Sequence, residues 1–186
     1  MRTIAVGLAI AVLLILGVGA AVVYSGVYDI GADAPHTGVV ASLIGALRDR
    51  SVTAHAKGIV PPHDLGSPKR ISAGAGLYSE MCTGCHLGPG LERSELSQGL
   101  YPQAPELAKG TDLTPAQQFW VIKHGVKLTA MPAWGKTHDD ELIWDMVAFL
   151  QRLPKLSARQ YKAVVASAPE DHDDMMKDMN KRDKQQ

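Results

Sequence analysis

The sequence predicts an all-α protein in which a small helical domain follows one apolar segment long enough to cross a membrane. Three observations support this prediction. Residues 4–23 form an apolar run without a charged side chain. From residue 67 to about residue 153, apolar residues recur at helical spacing, and no convincing alternation of apolar and polar residues predicts a strand. Proline and capping residues divide this region into short helices.

The apolar run has the length of a membrane-spanning helix. Its 20 residues span roughly 30 Å as a helix, the thickness of a bilayer's hydrocarbon core. Arg2 precedes the run, which favours a cytoplasmic N-terminus and an exported remainder. A signal peptide cleaved near Ala20 is the alternative, but signal-peptide cores are usually shorter, at about 7–15 residues. We therefore expect residues 1–24 to be a retained, single-pass anchor in the cell inner membrane, with the rest of the chain on the periplasmic side.

Residues 25–68 are rich in glycine, proline and histidine and predict a juxtamembrane connector. Within it, Thr37 is a candidate cap for a short amphipathic helix. The apolar residues of this helix share one face: Val39, Val40, Leu43, Ile44 and Leu47. Charged residues at 48–50 are expected to end it. Its apolar face has three open interpretations: packing on the main domain, lying on the membrane surface, or docking a partner subunit.

Residues 69–155 carry the predicted main domain. A first helix is expected over residues 71–85. Thr114 and Gln117 have the spacing of a capping box, with proline at the first helical position between them. They predict a second helix that ends near His124.

The last helix of the main domain is expected to begin at residues 137–140 and to stop at Pro154. Its predicted buried stripe comprises Leu142, Met146, Phe149, Leu150 and Leu153. Residues 156–186 predict a short helix from Ser157 and then a disordered, charged tail. The tail contains soft ligands that suit copper(I), although solvated disorder is the favoured interpretation: His172, Met175, Met176 and Met179.

The chain has two cysteines, and both lie in the run Cys82-Thr83-Gly84-Cys85-His86. C-x-x-C-H is the sequence to which c-type haem is attached. Its two thiols form thioethers with the two vinyl groups of the porphyrin, and the adjacent histidine reaches the iron. A zinc half-site needs a second pair of ligands, and a thioredoxin-like redox pair needs strand–helix alternation around it. The sequence offers neither, so we predict one covalently attached haem c.

Met131 is the predicted second axial ligand. It lies 45 residues after His86, in a loop between two predicted helices. A thioether in a loop can turn inward to the iron, and His/Met ligation fills both axial positions, which suits electron transfer. Core packing is the alternative for any methionine, and it is the better interpretation of Met146. His124 is the one histidine placed to compete, and we expect it near the haem edge.

Three aromatic residues are candidates to bind the haem propionates through their O–H or N–H groups. They are Tyr101, Trp120 and Trp134. Core packing is at least as good an explanation for each of them.

Taken together, these motifs resemble the class I c-type cytochromes. The matching elements are the glycine and aromatic residue before the haem motif, the motif itself, the axial Met-Pro pair and the terminal helix: Gly74, Tyr78, Cys82, Cys85, His86, Met131-Pro132 and residues 147–150. The sequence is most similar to bacterial membrane-anchored forms and to the cytochrome c subunits of haem-copper oxidases. The resemblance covers residues 70–155.

The resemblance implies a small cytochrome c fold in which the first and last helices cross closely. Gly74 and Gly76 would permit that approach. It also implies that a backbone carbonyl in the loop after the motif orients His86, with Pro89 as the candidate. Its implied partners are redox proteins, either a membrane respiratory complex or a periplasmic oxidoreductase.

The sequence therefore predicts an electron-transfer protein rather than an enzyme. Lys and Arg balance Asp and Glu at 19 each, which gives no indication of nucleic-acid binding. One alternative is a haem enzyme or gas sensor with a labile sixth ligand, for which His124 is the available distal acid or base. Another is a structural subunit of a larger complex, docked through the connector helix.

Overall fold

A computed structural model describes residues 1–169, and within that range it contains helices, turns and loops but no strand. The all-α prediction is confirmed there. The tail from residue 170, with its predicted disorder and its histidine and methionine residues, lies outside the described residues. The chain divides into two compact units, Met1–Pro35 and a second unit that begins at His36.

The first unit contains one long apolar helix, α1, at Arg2–Ser25. Its most apolar window has a mean hydropathy of 2.8, and no part of that window is buried within the protein. Gly26 ends the helix in the left-handed conformation, with φ 66°, where glycine meets no steric penalty. The helix is long and apolar enough to cross a membrane, which agrees with the predicted transmembrane helix.

The second unit is built from seven helices in its described part, joined by loops and three 3₁₀ turns. The helices are α2 (Gly38–His55), α3 (Pro68–Met81), α4 (Thr83–His86), α5 (Glu95–Gln98), α6 (Pro115–His124), α7 (Asp140–Arg152) and α8 (Ala158–Ala166). The 3₁₀ turns are Leu107–Lys109, Trp134–Lys136 and Leu153–Lys155. The predicted capping box of Thr114 and Gln117 opens α6, and Ser157 forms another with Gln160 at the start of α8.

Helices α3 and α7 form the most extensive helix pair of the described chain. Gly74 makes this crossing possible, because a Cβ at that position would overlap the Asp145 carbonyl and lie 2.9 Å from the Phe149 Cβ. Gly76, which was expected to share this role, faces Ala168 instead, 3.2 Å from its Cβ. The two glycines are two residues apart on one helix, so their Cα–H faces point in different directions. Only Gly74 therefore serves the α3–α7 contact.

Helix α7 carries the centre of the core. Of its predicted stripe, Met146 and Phe149 are almost fully buried, and Leu153 is buried just after the helix ends. The sequence did not predict Trp144, whose ring stacks on Phe119 of α6 at a centroid distance of 4.3 Å. This contact attaches α6 to α7 and leaves the other side of α6 free to reach α2.

Helix α2 is longer than the sequence predicted, since it continues through the charged residues 48–50 to His55. Its C-terminal half packs on α6: the Gln117 amide donates to the Thr53 hydroxyl at 3.2 Å, and the His55 ring lies 5.4 Å from the Trp120 ring. Val52 is the one residue of α2 that is buried. The predicted connector is thus, from His36 onward, part of the second compact unit.

Candidate functional site

The predicted haem-attachment run folds as a single helical turn. Helix α3 ends at Met81, and Cys82 caps the short helix α4, whose residues are Thr83 to His86. The His86 amide donates to the Cys82 carbonyl at 2.8 Å. Side chains four residues apart on a helix lie on the same face. The turn therefore presents Cys82 and His86 in the same direction.

Cys82 and His86 line a small apolar pocket of about 30 Å³ in the second unit. The pocket also receives the two predicted residues Met131 and Trp134. The other lining residues come from α3, α6, α7 and the loop before α6: Tyr78, Leu107, Ile122, Met146 and Leu150. Cys85 does not line this pocket in the structure, and no disulfide joins the two cysteines.

A backbone carbonyl fixes the orientation of the His86 ring. His86 Nδ1 lies 2.8 Å from the Pro105 carbonyl oxygen. Because a carbonyl only accepts hydrogen bonds, Nδ1 carries the proton and Nε2 keeps a free lone pair for a metal. Burial lowers the pKa of His86, against the opposing effect of this hydrogen bond. The neutral imidazole that a metal requires is therefore the favoured form.

The carbonyl that orients His86 belongs to Pro105 and not to Pro89, so the prediction for Pro89 is wrong. The loop that contains Pro89 turns away at Leu87, which has φ 59°. It packs instead against α8, since a Cβ on Gly88 would lie 3.1 Å from the Tyr161 ring and one on Gly90 would lie 2.6 Å from the Ala158 Cβ. The carbonyl that orients His86 thus comes from 19 residues further along the chain.

The free thiol of Cys82 is held in its protonated form. Burial raises the pKa of Cys82 to about 12, and the neighbouring Cys85 adds to the increase. A buried thiol of this kind is poorly reactive as a nucleophile toward solvent oxidants and metals. This environment does not resemble an exposed redox pair, and it agrees with a thiol that faces a large apolar group.

Met131 is held at the pocket by a loop with its own hydrogen bonds. The Met131 amide donates to the Thr129 hydroxyl at 3.1 Å, and that hydroxyl donates to the Val126 carbonyl at 2.7 Å. The Val126 amide in turn donates to the Met131 carbonyl at 3.2 Å. Gly125 packs beneath the loop with φ 66°, and a Cβ there would lie 2.7 Å from the Met131 carbonyl oxygen. Local sequence thus fixes the backbone of Met131.

Two of the three aromatic candidates have partners outside the pocket. The Tyr101 hydroxyl accepts a hydrogen bond from the His36 amide at 2.8 Å. The Trp120 ring lies between His55 and His124, at 5.4 and 5.0 Å. Trp134 is the candidate that the structure brings to the pocket. Pro105, Leu107 and Ile122 are site residues that the sequence did not predict, since nothing in their local pattern distinguishes them from other loop or core residues.

The residues of the pocket fit a haem. An imidazole nitrogen with a free lone pair, a thioether and a thiol of the attachment run meet in one cavity, and the surfaces between them are apolar. A porphyrin needs this combination of a nonpolar enclosure and two axial donors. The family comparison agrees: residues 69–150 match the family model described as cytochrome c oxidase, cbb3-type, subunit III.

The chain carries a class I cytochrome c domain. Its activity is haem-based electron transfer. The matched residues of the cytochrome domain begin at the second residue of α3 and end within α7, so α2 and α8 lie outside the match. No curated protein and no solved structure matches the chain significantly.

Proposed function

We propose that the cytochrome domain transfers electrons through one haem c, bound covalently to Cys82 and Cys85 and ligated by His86 and Met131. One observation carries this proposal: His86 and Met131 are separated by 45 residues, yet their side chains line the same apolar pocket. The haem supplies an iron that changes between its ferrous and ferric states. The protein supplies the attachment, the axial donors and a surrounding of low polarity.

Each residue of the proposed site has a distinct role. Cys82 and Cys85 hold the porphyrin, and the Pro105 carbonyl keeps Nε2 of His86 directed at the pocket. A methionine opposite a histidine raises the reduction potential and leaves no open axial position. The apolar lining limits the access of water, which also influences the potential. This arrangement favours rapid transfer of single electrons over binding of a substrate.

We propose that α1 is a retained anchor in the cell inner membrane and that the cytochrome domain lies on the periplasmic side. The length and composition of α1 support the anchor, and Arg2 before it supports the orientation. Electrons would then pass to or from a membrane respiratory complex or a periplasmic oxidoreductase. The oxidase-subunit family that the cytochrome domain matches supports a respiratory complex.

The alternative of a haem enzyme or gas sensor has less support. It requires an exchangeable sixth ligand and a distal acid or base, for which His124 was the candidate. The His124 ring lies against Trp120 at 5.0 Å and is not among the residues that line the pocket. We therefore favour a site with both axial positions filled.

Replacement of the two pocket methionines tests the axial ligand. Met131→Leu is expected to abolish the Met–iron charge-transfer band of the oxidised protein and to lower the reduction potential by on the order of 100 mV. The iron should also become open to carbon monoxide. Met146→Leu is the matched control, because Met146 lines the same pocket and leucine conserves its volume. Loss of the band in Met146→Leu, with the band retained in Met131→Leu, would refute the assignment.

A further inference from the structure

The N-terminal half of α2 presents an apolar surface that residues 1–169 leave exposed. We define the α2 stripe as Val39, Leu43, Ile44 and Leu47. Their exposed fractions are 81%, 70%, 37% and 69%. Val39, Leu43 and Leu47 are spaced four residues apart, so they form one continuous ridge along the helix. Two contacts that join this helix to α6 lie in its C-terminal half, at Thr53 and His55.

The charged residues that follow the stripe are mostly basic. Residues 34–48 contain no aspartate or glutamate. Arg48, Arg50 and Lys57 follow the stripe, with Asp49 as the one acidic residue between positions 34 and 63. Asp49 is paired with Arg48 at 2.8 Å, and both side chains are exposed. An aliphatic ridge with basic residues at its C-terminal end suits a helix that lies in the membrane interface. The segment before the ridge carries Asp29 and Asp33 and no lysine or arginine.

The position of the stripe in the chain also favours contact with a membrane surface. Helix α1 ends at Ser25 and α2 begins at Gly38, so twelve residues join them. Twelve extended residues reach at most about 40 Å. Several residues of this segment are themselves apolar and exposed, including Val27 and Ile30 at 73% and 89%. If α1 is anchored in a bilayer, the start of α2 therefore lies no farther than about 40 Å from the end of that anchor.

We propose that the α2 stripe docks on the lipid bilayer, with its aliphatic side chains at the boundary between headgroups and acyl chains. Arg48 and Arg50 then lie among the lipid phosphates. Because α2 packs on α6 and α6 contributes Ile122 to the haem pocket, this contact fixes the orientation of the cytochrome domain relative to the membrane. This membrane contact, which rests on the proposed function, thus determines which face of the domain meets its redox partner.

Thiol protection in lipid nanodiscs tests this proposal on the full-length, haem-loaded protein. If both native cysteines are bonded to haem, an introduced cysteine is the only free thiol. Leu43→Cys is placed in the stripe, and Ala41→Cys is the matched control on the opposite side of the helix, two residues away and also exposed. Each variant is reconstituted in discs of mixed anionic and zwitterionic phospholipid. Its rate of reaction with a water-soluble maleimide is divided by its rate in denaturant.

The proposal predicts that Leu43→Cys reacts several-fold more slowly than Ala41→Cys. Adding Val39→Glu and Leu47→Glu to Leu43→Cys should restore the rate, and both positions are exposed, so the fold tolerates the charges. Equal rates for the two single variants would overturn the proposal. Protection that occurs in native membranes but not in nanodiscs would also overturn it, because a protein partner would then cover the stripe. The protein without an introduced cysteine distinguishes a failure of membrane docking from a failure of the proposed function. If this protein reacts with maleimide, its native cysteines are not bonded to haem, and the proposed attachment is wrong.

Discussion

Tyr78 connects the turn that contains Cys82 and His86 to the core of the cytochrome domain. Its hydroxyl donates to the Leu87 carbonyl at 2.7 Å, and its ring lies 5.4 Å from that of Phe149 on α7. Burial raises the pKa of Tyr78 well above its usual value, so the phenol keeps its proton and remains a donor. Leu87 has a positive φ of 59°, which is unfavourable for leucine. The hydrogen bond from Tyr78 therefore holds a strained residue directly after His86.

Tyr78→Phe tests this contact. The variant leaves a buried carbonyl without its donor, which is expected to lower the free energy of unfolding by about 1–3 kcal/mol. Denaturant titration of the haem-loaded protein measures the loss. Tyr161→Phe is the matched control, because the Tyr161 hydroxyl is buried near Ser79 but makes no well-formed hydrogen bond in the described chain. An equal loss of stability in both variants would contradict the role given to Tyr78.

At the residue scale, the sequence predicted those site residues that belong to short motifs. C-x-x-C-H and the Met-Pro loop each have a local chemical signature, and the structure places Cys82, His86 and Met131 around one pocket. The partner of His86 Nδ1 has no such signature. Any carbonyl can accept a hydrogen bond from Nδ1–H, so the choice between Pro89 and Pro105 depends on how the loop folds in three dimensions.

At the scale of helices, the crossing of α3 and α7 depends on a single residue. Gly74 lets the backbone of α3 contact the backbone of α7 at Asp145. Close approach of two helices needs a residue without a side chain at the point of contact. The nearby haem motif begins where α3 ends, at Cys82, so this crossing also positions the attachment turn.

Gly74→Ala is expected to force the two helices apart. Overpacking in a core usually costs about 1–3 kcal/mol, and we expect a cost at or above the upper end because the clash is with backbone. Gly45→Ala is the control: Gly45 is also helical, but nothing lies within 4 Å of an added Cβ. It should raise stability by about 0.5–1 kcal/mol, since alanine favours helix. Thermal unfolding of both variants measures the difference, and similar stabilities would contradict the account of the crossing.

Helix α2 is only partly predictable from the spacing of its apolar residues. The spacing of its apolar residues correctly predicted a helix with one apolar face, and the structure leaves that face exposed. The predicted end at residues 48–50 was wrong because arginine is a good helix former and a charge does not stop a helix. On the side of α2 that packs on α6, Val52 is the one buried residue. A single apolar residue does not form a periodic pattern, so this packing face could not be predicted from the sequence.

At the scale of the whole molecule, an ion-pair cluster joins α3, α7 and the loop before α3. Arg70 is paired with Asp64 at 2.9 Å and with Glu141 and Asp145 at 2.8 Å. Three carboxylates thus share one guanidinium. Burial raises the pKa of Asp145 to about 6, and Glu141 and Asp139 add to the increase while Arg70 opposes it.

This shift predicts a pH dependence of stability. Below about pH 4 Asp145 is protonated in both the folded and the unfolded states. As the pH rises to about 6, the carboxyl ionises first in the unfolded state, so the domain loses stability across this interval. The loss is roughly 1–2 kcal/mol once solvent screening of this partly exposed group is included. Asp145→Asn should remove this loss, whereas Asp64→Asn should retain it. Denaturant unfolding at a series of pH values measures both, and an unchanged pH dependence in Asp145→Asn would contradict the prediction.

The overall architecture was largely predictable because caps, prolines and helical spacing mark most of its elements. The start of α6 at Pro115 and the start of α8 after Ser157 agree with the sequence prediction. The inclusion of residues from His36 onward in the second unit was not predictable. It depends on the contact between α2 and α6 and on the hydrogen bond from His36 to Tyr101, and both join residues that are more than 60 positions apart.

The proposed function depends above all on one haem bound covalently at Cys82 and Cys85. Extraction of the purified protein with acidified acetone, followed by measurement of the intact mass in denaturant, tests this attachment. We expect the colour to stay with the polypeptide and the mass to equal the chain plus one haem. A colourless polypeptide with the mass of the chain alone, and haem in the organic phase, would contradict it.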